Sequence, residues 1–398
     1  MVYAFNWYNV GAVLPFLGRD LPASTFELGI VLGAFLVGAA VFQVPAGFAA
    51  LRWGNRTVSI LALGVMGLFS LASAFSPNWV VLAATRFGVG GGAAFFFAPA
   101  LGLVTSYYPP GSRGPIIGIY NSGFSVGAGA GLLGGALVGA SFGWPAALLV
   151  GAALLLSMTA AAPFWLPTTS PARRSKGFRE LWDAATPVLL SRSIWALALA
   201  TSGLWGAFYI VPQYFFDYAS VAHPGWSVAL AAILPTVMIL LEIPGGPIGG
   251  WLGERSSEMR GIIVAWGVLC GFGILLIPFL PIFGLVGLFV FLGFADGVIF
   301  AVLYLLPTYL PEARGETLAL GLAFLNSIQI SLGSACAIVF GYIAGTVGYG
   351  PAWWFAGAVT LVPLPLLALV SGRRGTVVAP TRPPAGVPRA VRNPNRPA

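Results

Sequence analysis

Long runs of apolar residues alternate along this chain with short polar clusters. Allowing a few residues at each boundary, the runs cover 2 to 18, 28 to 50, 57 to 75, 78 to 106, 115 to 140 and 144 to 166. Past a polar stretch they resume at 191 to 216, 226 to 252, 260 to 279, 282 to 309, 317 to 345 and 350 to 371. Each run holds about 20 residues, the length a helix needs to cross a hydrocarbon layer roughly 30 Å thick. In such a layer every backbone N–H and C=O must be paired within the segment, so the runs predict helices. The pattern therefore predicts an all-α polytopic membrane protein with 12 transmembrane helices, six on either side of the polar stretch.

That stretch, LPTTSPARRSKGFRELWDAATP at 166 to 187, is rich in Pro, Ser and charge. It reads as a linker, with FRELWDAA as a short helix along the membrane surface. The tail from Gly372 mixes arginine with repeated proline and has no apolar period, a composition that buries too little surface to fold. The organisation expected is an N-terminal six-helix bundle at 1–166, a cytoplasmic central loop at 167–190, a C-terminal six-helix bundle at 191–371 and a disordered basic tail at 372–398.

Composition agrees with burial in lipid: 58% of the residues are hydrophobic and only 8% are charged, against about 25% charged in soluble domains. Cys270 and Cys336 both fall inside apolar runs and build neither a metal spacing nor a disulfide framework. The N-terminus enters an apolar, aromatic run without a basic segment or a small-residue cleavage site, so no removable signal peptide is expected. His223 is the one histidine, and the chain has no HExxH, no Cys and His cluster and no Walker-type loop. Neither an enzyme, a cofactor, a metal nor ATP-driven transport is expected.

Positive charge sets the topology. The stretch GFAALRWGNR, 47 to 56, places Arg52 and Arg56 at the end of the second run. With Met1 starting inside, the loops after runs 2, 4, 6, 8 and 10 and the tail are cytoplasmic. Of the 19 Lys and Arg, only Arg19 (outside) and Arg86 (within a run) depart from this, leaving 17 on the cytoplasmic side. The net charge of +8 is thus mainly an orientation signal, and nucleic acid is not an expected partner. The reading is a multi-pass plasma-membrane protein with both termini cytoplasmic, expected to be a monomer.

The two halves also resemble each other: FQVPAG (42 to 47) is echoed by LEIPGG (241 to 246), and YYPPGSRG (107 to 114) by YLPEARG (309 to 315). Duplicated bundles leave a cavity along their interface, which suits alternating access. At this point the residues resemble the major facilitator superfamily of secondary transporters. That family's loop between helices 2 and 3 reads G-x-L-a-D-R-x-G-R-R, and Gly47, Arg52, Gly54 and Arg56 stand in register with it. Ala49 and Leu51 depart, Leu51 replacing the acidic residue of the cytoplasmic gate. GWLGER at 250 to 255 keeps the charged pair as Glu254 and Arg255. RFGVGGG, Arg86 to Gly92, resembles the family's helix 4 pattern. GAGAGLLGG at 127 to 135 resembles its glycine-rich helix 5 motif, with Leu132 where many exporters have proline. The resemblance covers residues 1 to 371 and implies the fold and secondary active transport of that family.

Candidate residues follow from chemistry at depth. Gly123, Gly127, Gly131, Gly134 and Gly135 on helix 5 allow close approach of a neighbouring helix. Arg86, Glu242 and Asp296 lie inside apolar runs, where even lenient insertion scales assign a charge about 2.5 to 3.5 kcal/mol. Arg86 suits a substrate carboxylate through its planar fork of donors, and Asp296 and Glu242 are candidates to carry a coupling proton. Asn6, Asn9, Tyr120, Asn121, Tyr209, Gln213, Asn326 and Gln329 complete a polar cavity set. For a cytoplasmic gate, Glu254 is expected to meet Arg113, and Arg52 to face Glu312 or Glu316, with Arg56, Arg255 and Arg314 nearby. The function expected is proton-coupled transport of a small organic solute, with an organic anion as the cargo that Arg86 suggests. A multidrug or metabolite exporter of the same fold stands as the alternative. From another class, a channel or a transport-inactive receptor also stays open.

Overall fold

In a computed structural model of the chain, residues 1–106, 113–166, 179, 186–310 and 316–370 are described, apart from the side chains at 44, 47, 48, 51, 52, 98, 101, 102, 105, 106, 113–119, 121, 308, 316–320 and 323. The helices are α1a (Val2–Tyr8), α1b (Leu14–Asp20), α2 (Thr25–Trp53), α3 (Asn55–Ala74), α4 (Trp79–Ser106), α5 (Arg113–Phe142), α6 (Trp144–Trp165), α7 (Arg192–Ala222), α8 (Val228–Arg255), α9 (Met259–Leu276), α10 (Ile282–Leu305), α11 (Glu316–Thr346) and α12 (Tyr349–Leu361). Among the described residues 11 helices are long and apolar enough to cross a membrane. The remaining crossing is the pair α1a and α1b.

The first apolar run is expected as one span and is instead broken by the 3-10 turn Gly11–Val13. Pro15, at the start of α1b, has no N–H to donate one turn back, and its ring crowds the carbonyl there, so a continuous helix through residues 10 to 15 is disfavoured. Elsewhere the boundaries follow local chemistry. Ser24 and Glu27 form a reciprocal cap at the start of α2: the Glu27 amide donates to Ser24 Oγ at 3.3 Å, and the Ser24 amide donates to Glu27 Oε2 at 2.6 Å. That accounts for a charge at the head of an apolar run. Three connections turn on single glycines with positive φ, Gly54 (82°), Gly143 (84°) and Gly348 (113°), a backbone region that side chains with a Cβ avoid.

Both halves use the same packing scheme. In the first, α2 packs on α4, α3 on α6, and α1 on α5; in the second, α8 packs on α10, α9 on α12, and α7 on α11. Each first-half pair becomes its counterpart when six is added to both helix numbers, so the protein is two pseudo-symmetric bundles of six. Glycine brings the backbones together at matching places. A Cβ on Gly38 or Gly90 would collide with the carbonyl oxygen of Phe87 or Phe35 across the α2 and α4 seam. On Gly293 or Gly297 it would collide with that of Met238 or Glu242 across the α8 and α10 seam. Such close approach is how helices gain packing energy where lipid supplies no hydrophobic drive. Large apolar side chains such as Leu68, Phe75, Phe142, Phe164, Phe283 and Val362 remain exposed on the surface, as a lipid-facing exterior requires.

The bundles meet along α2 with α11, α5 with α8, and α1 with α7. They are tightly closed at the end where α2 begins: Phe26 and Tyr342 meet edge to face at 5.4 Å, and Tyr214 donates to the Ala337 carbonyl at 2.9 Å beside Gly29 and Gly341. Inter-bundle contacts continue to mid-depth, where Ser327 Oγ lies 3.5 Å from the Ala40 carbonyl oxygen. The 372–398 tail, and the surface helix expected around FRELWDAA apart from Arg179, lie outside the described residues.

The seam makes a paired prediction. Gly90→Ala forces a Cβ into the Phe35 backbone and is expected to cost about 1 to 3 kcal/mol, read as a lower Tm of purified protein. Gly287→Ala meets nothing within 4 Å and leaves Tm unchanged or slightly raised, because alanine is the better helix former.

Candidate functional site

The break in α1 frees carbonyl groups, and the site is built on them. The last carbonyls of a helix have no intrahelical partner. At the end of α1a the Asn6 carbonyl accepts from Arg86 Nη2 at 2.9 Å, and the Trp7 carbonyl accepts from Gln213 Nε2 at 2.8 Å. Arg86 comes from α4 in the first bundle and Gln213 from α7 in the second, so residues of both bundles converge on one turn of backbone.

Arg86 is 1% exposed. Its guanidinium carbon sits 4.8 Å above the centre of the Phe35 ring, a cation–π contact. Nε and Nη1 have no hydrogen-bond partner. Tyr209 on α7 lies close enough across the interface to interact electrostatically with the guanidinium, and its hydroxyl, near the Gln213 amide, makes no well-aligned hydrogen bond among the described residues. The Trp7 ring meets Phe35 edge-on at 4.8 Å, and its Nε1, which lies near the Tyr3 hydroxyl, makes no well-aligned hydrogen bond among the described residues. Buried polar groups are seldom left so. Several donors converging beside a fixed cation make an arrangement suited to an anion.

A second cluster lies in the other bundle. Glu242 on α8 and Asp296 on α10 lie close enough to interact electrostatically, and Ser125 on α5 donates to Glu242 Oε2 at 3.2 Å across the interface. Asp296 is 5% exposed, with Oδ1 unpartnered. Tyr8 lies between the clusters: its ring centre is 6.0 Å from that of Tyr209, and it interacts electrostatically with both acids.

The other expected cavity residues divide. Asn6 is tied into its own bundle, donating to the Gly151 carbonyl at 3.2 Å and accepting from Ser70 at 2.9 Å. Asn9 is buried with both amide atoms unpartnered, and its Nδ2 lies close to Gly151 on α6. Gln329 donates to Thr201 at 2.6 Å, Tyr120 to the Phe97 carbonyl at 3.3 Å, and Tyr304 to Asn326 at 3.2 Å. These bonds lie within single bundles. The Asn121 side chain lies outside the described residues.

On helix 5, Gly127 and Gly131 take the backbones of Met1 and Phe5, and a Cβ on Gly135 would stand 3.2 Å from that of Ala12. A Cβ on Gly134 would stand 3.7 Å from the Phe5 ring, and one on Gly123 would stand 4.0 Å from the Met1 side chain. Of the gate set, Arg56 donates to the carbonyls of Pro163 at 2.8 Å and Leu166 at 3.1 Å, within the first bundle. Arg255 sits 4.4 Å over the Trp251 ring. The side chains of Arg52, Arg113, Glu312, Arg314 and Glu316 lie outside the described residues, and with them the pairs expected with Glu254 and Arg52.

Sequence reading missed Trp7, Tyr8, Phe35, Phe124 and Ser125. One signal was available: Tyr3 with Trp7, and Trp205 with Tyr209, are aromatic pairs four apart, each sharing a helix face, on α1 and α7, which are counterparts in the two halves.

The comparisons agree with this architecture. The family model "Major Facilitator Superfamily" matches residues 1–334. A hexuronate transporter of Bacillus subtilis is 33% identical over 113 residues, 28% of this chain and 27% of the relative. The 4-hydroxybenzoate transporter PcaK of Pseudomonas aeruginosa is 33% identical over 122 residues, 31% of this chain and 27% of the relative. The matched segments thus span about a quarter of these relatives' length. A solved structure of a bacterial homolog to the human lysosomal transporter Spinster, in an inward-facing and occupied conformation, shares the fold, with a TM-score of 0.67, 20% identity and 93% coverage of both chains. With its 12 crossings in two matching bundles and a family match over most of its length, this multi-pass membrane protein belongs to the Major Facilitator Superfamily.

Proposed function

We propose that the protein is a proton-coupled secondary transporter of a small organic anion, working by alternating access. The carrying observation is Arg86, a buried cation with unpartnered donors at the meeting of the two bundles. The hexuronate and 4-hydroxybenzoate transporters among the relatives support an anionic cargo. The orientation that leaves 17 of 19 basic residues on one side puts both termini in the cytoplasm of a plasma-membrane protein, acting as a monomer. The closed α2 and α11 end then faces outward.

In this mechanism the cargo carboxylate takes the donors that Arg86, Tyr209 and Trp7 leave unmatched. Because Arg86 and Tyr209 belong to different bundles, filling the site changes what holds the bundles together. The Glu242 and Asp296 pair carries the coupling proton. Ser125, bonded to Glu242 from the first bundle, registers the protonation state at the interface. Gate pairs around Glu254 and Arg52 hold the cytoplasmic side when the cavity faces outward.

The first test is uptake into liposomes: saturable anion flux driven by an inward-directed proton gradient, with Arg86→Gln lowering kcat/KM by about 100-fold or more. Arg86→Gln working with unaltered KM rejects the clamp, and flux that does not saturate favours a channel. Replacing Asp296 by Asn is expected to abolish gradient-driven accumulation while exchange of internal for external anion continues. Accumulation that responds to the proton gradient as in the unmodified protein removes Asp296 from coupling.

A further inference from the structure

We propose that the cargo is an aromatic carboxylate with few hydroxyls, rather than a sugar acid. The inference rests on the organic-anion reading above and narrows it, choosing between chemistries that the relatives leave open.

The unmatched groups around the guanidinium are mainly donors, with the Gln213 amide oxygen as an unpartnered acceptor beside them. Arg86 Nε and Nη1 and Trp7 Nε1 only donate, and the Tyr209 hydroxyl donates as readily as it accepts. A carboxylate, which only accepts, complements them. A polyhydroxylated body does not, because each buried hydroxyl needs acceptors as well and costs free energy when it lacks them. Of the nearby amides, that of Gln213 offers one oxygen, which lies against Gly11, and the Asn9 amide lies at Gly151 within the first bundle, too few acceptors for the several hydroxyls of a sugar acid.

Beyond the donors the surroundings are aromatic and come from both bundles. Phe124 of α5 meets Trp7 edge-on at 5.9 Å and Tyr8 edge-on at 6.4 Å. Trp205 of α7 lies flat on Tyr209 at 5.9 Å, with ring planes 9° apart. Phe124 and Trp205 are only partly buried, which leaves part of each residue uncovered for a third ring to meet, whereas Trp7 and Tyr209 are covered. Donors at the buried end and partly uncovered aromatic residues at the accessible end match a molecule with its carboxylate at one end and a flat π-system at the other. Offset and edge-on ring contacts reward such a body beyond simple area burial.

The test uses the full-length protein in liposomes and in detergent, with benzoate, cyclohexanecarboxylate and glucuronate as probes in uptake, competition and thermal-shift assays. Benzoate is expected to half-saturate at about tenfold lower concentration than cyclohexanecarboxylate, which has the same charge but a saturated ring, and glucuronate is expected to be weakest. Phe124→Leu should close most of the gap between the first two by weakening benzoate alone, and Trp205→Leu gives the same readout should the first variant fold poorly. Glucuronate binding as tightly as benzoate, in an Arg86-dependent way, overturns the aromatic inference and leaves the organic-anion reading standing. An unchanged benzoate preference in both leucine variants also overturns it. Failure of all three carboxylates to bind overturns both.

Discussion

A guanidinium buried in the middle of a membrane protein needs partners, and much of this structure can be read as the means of supplying them. Arg86 remains charged under all ordinary conditions, so the protein cannot relieve its burial by neutralising it. It is held instead by a backbone carbonyl and an aromatic face. The carbonyl is available because the first crossing is broken. The same break leaves the next carbonyl to Gln213 of the opposite bundle. A helix defect set by Gly11 and Pro15 thus joins the cation, the interface and the site.

The backbone is duplicated, but the charge is not. Both bundles bring a pair of helices together on glycine, α2 with α4 and α8 with α10. The first bundle places a cation beside that seam and the second places two acids. In the proposed mechanism an anion at Arg86 and a proton at the acids would therefore act on different bundles, with Tyr8 interacting electrostatically with the acids and lying beside Tyr209. Ligands that bind different halves of a two-state machine are coupled when each favours one arrangement of those halves. The Ser125 and Glu242 bond is one contact that such a change would have to break.

Much of the fold was legible in the pattern of apolar runs because lipid demands long, internally bonded helices, and most helix ends fall within a few residues of the run ends, although α7 continues to Ala222 and α12 gives way after Leu361 to a 3-10 turn at Leu364–Leu369. The break in α1 was written in Gly11 and Pro15 but masked by an otherwise apolar run. Arg86 and the two acids stood out because charge is rare at that depth. Trp7, Phe35 and Phe124 did not, since an aromatic residue in an apolar run reads the same whether it faces lipid or a site. The acceptors that hold Arg86 and Gln213 are backbone atoms, which no residue code displays. Asn6 stood out by its polar side chain, which bonds Gly151 and Ser70 inside the first bundle, whereas its contact with Arg86 is made by its carbonyl.

Two bundles that alternate about Arg86 must part where they now touch at the start of α2. A Cβ on Gly345 would stand 3.3 Å from the Thr25 Cβ, near the separation of about 3.5 to 4.5 Å that a disulfide bridges. The direct measurement is transport by a Thr25→Cys, Gly345→Cys protein lacking Cys270 and Cys336, assayed before oxidation, after it, and after reduction. Alternating access predicts that oxidation stops flux and reduction restores it. A cross-linked protein that carries its anion at the unmodified rate would contradict the account.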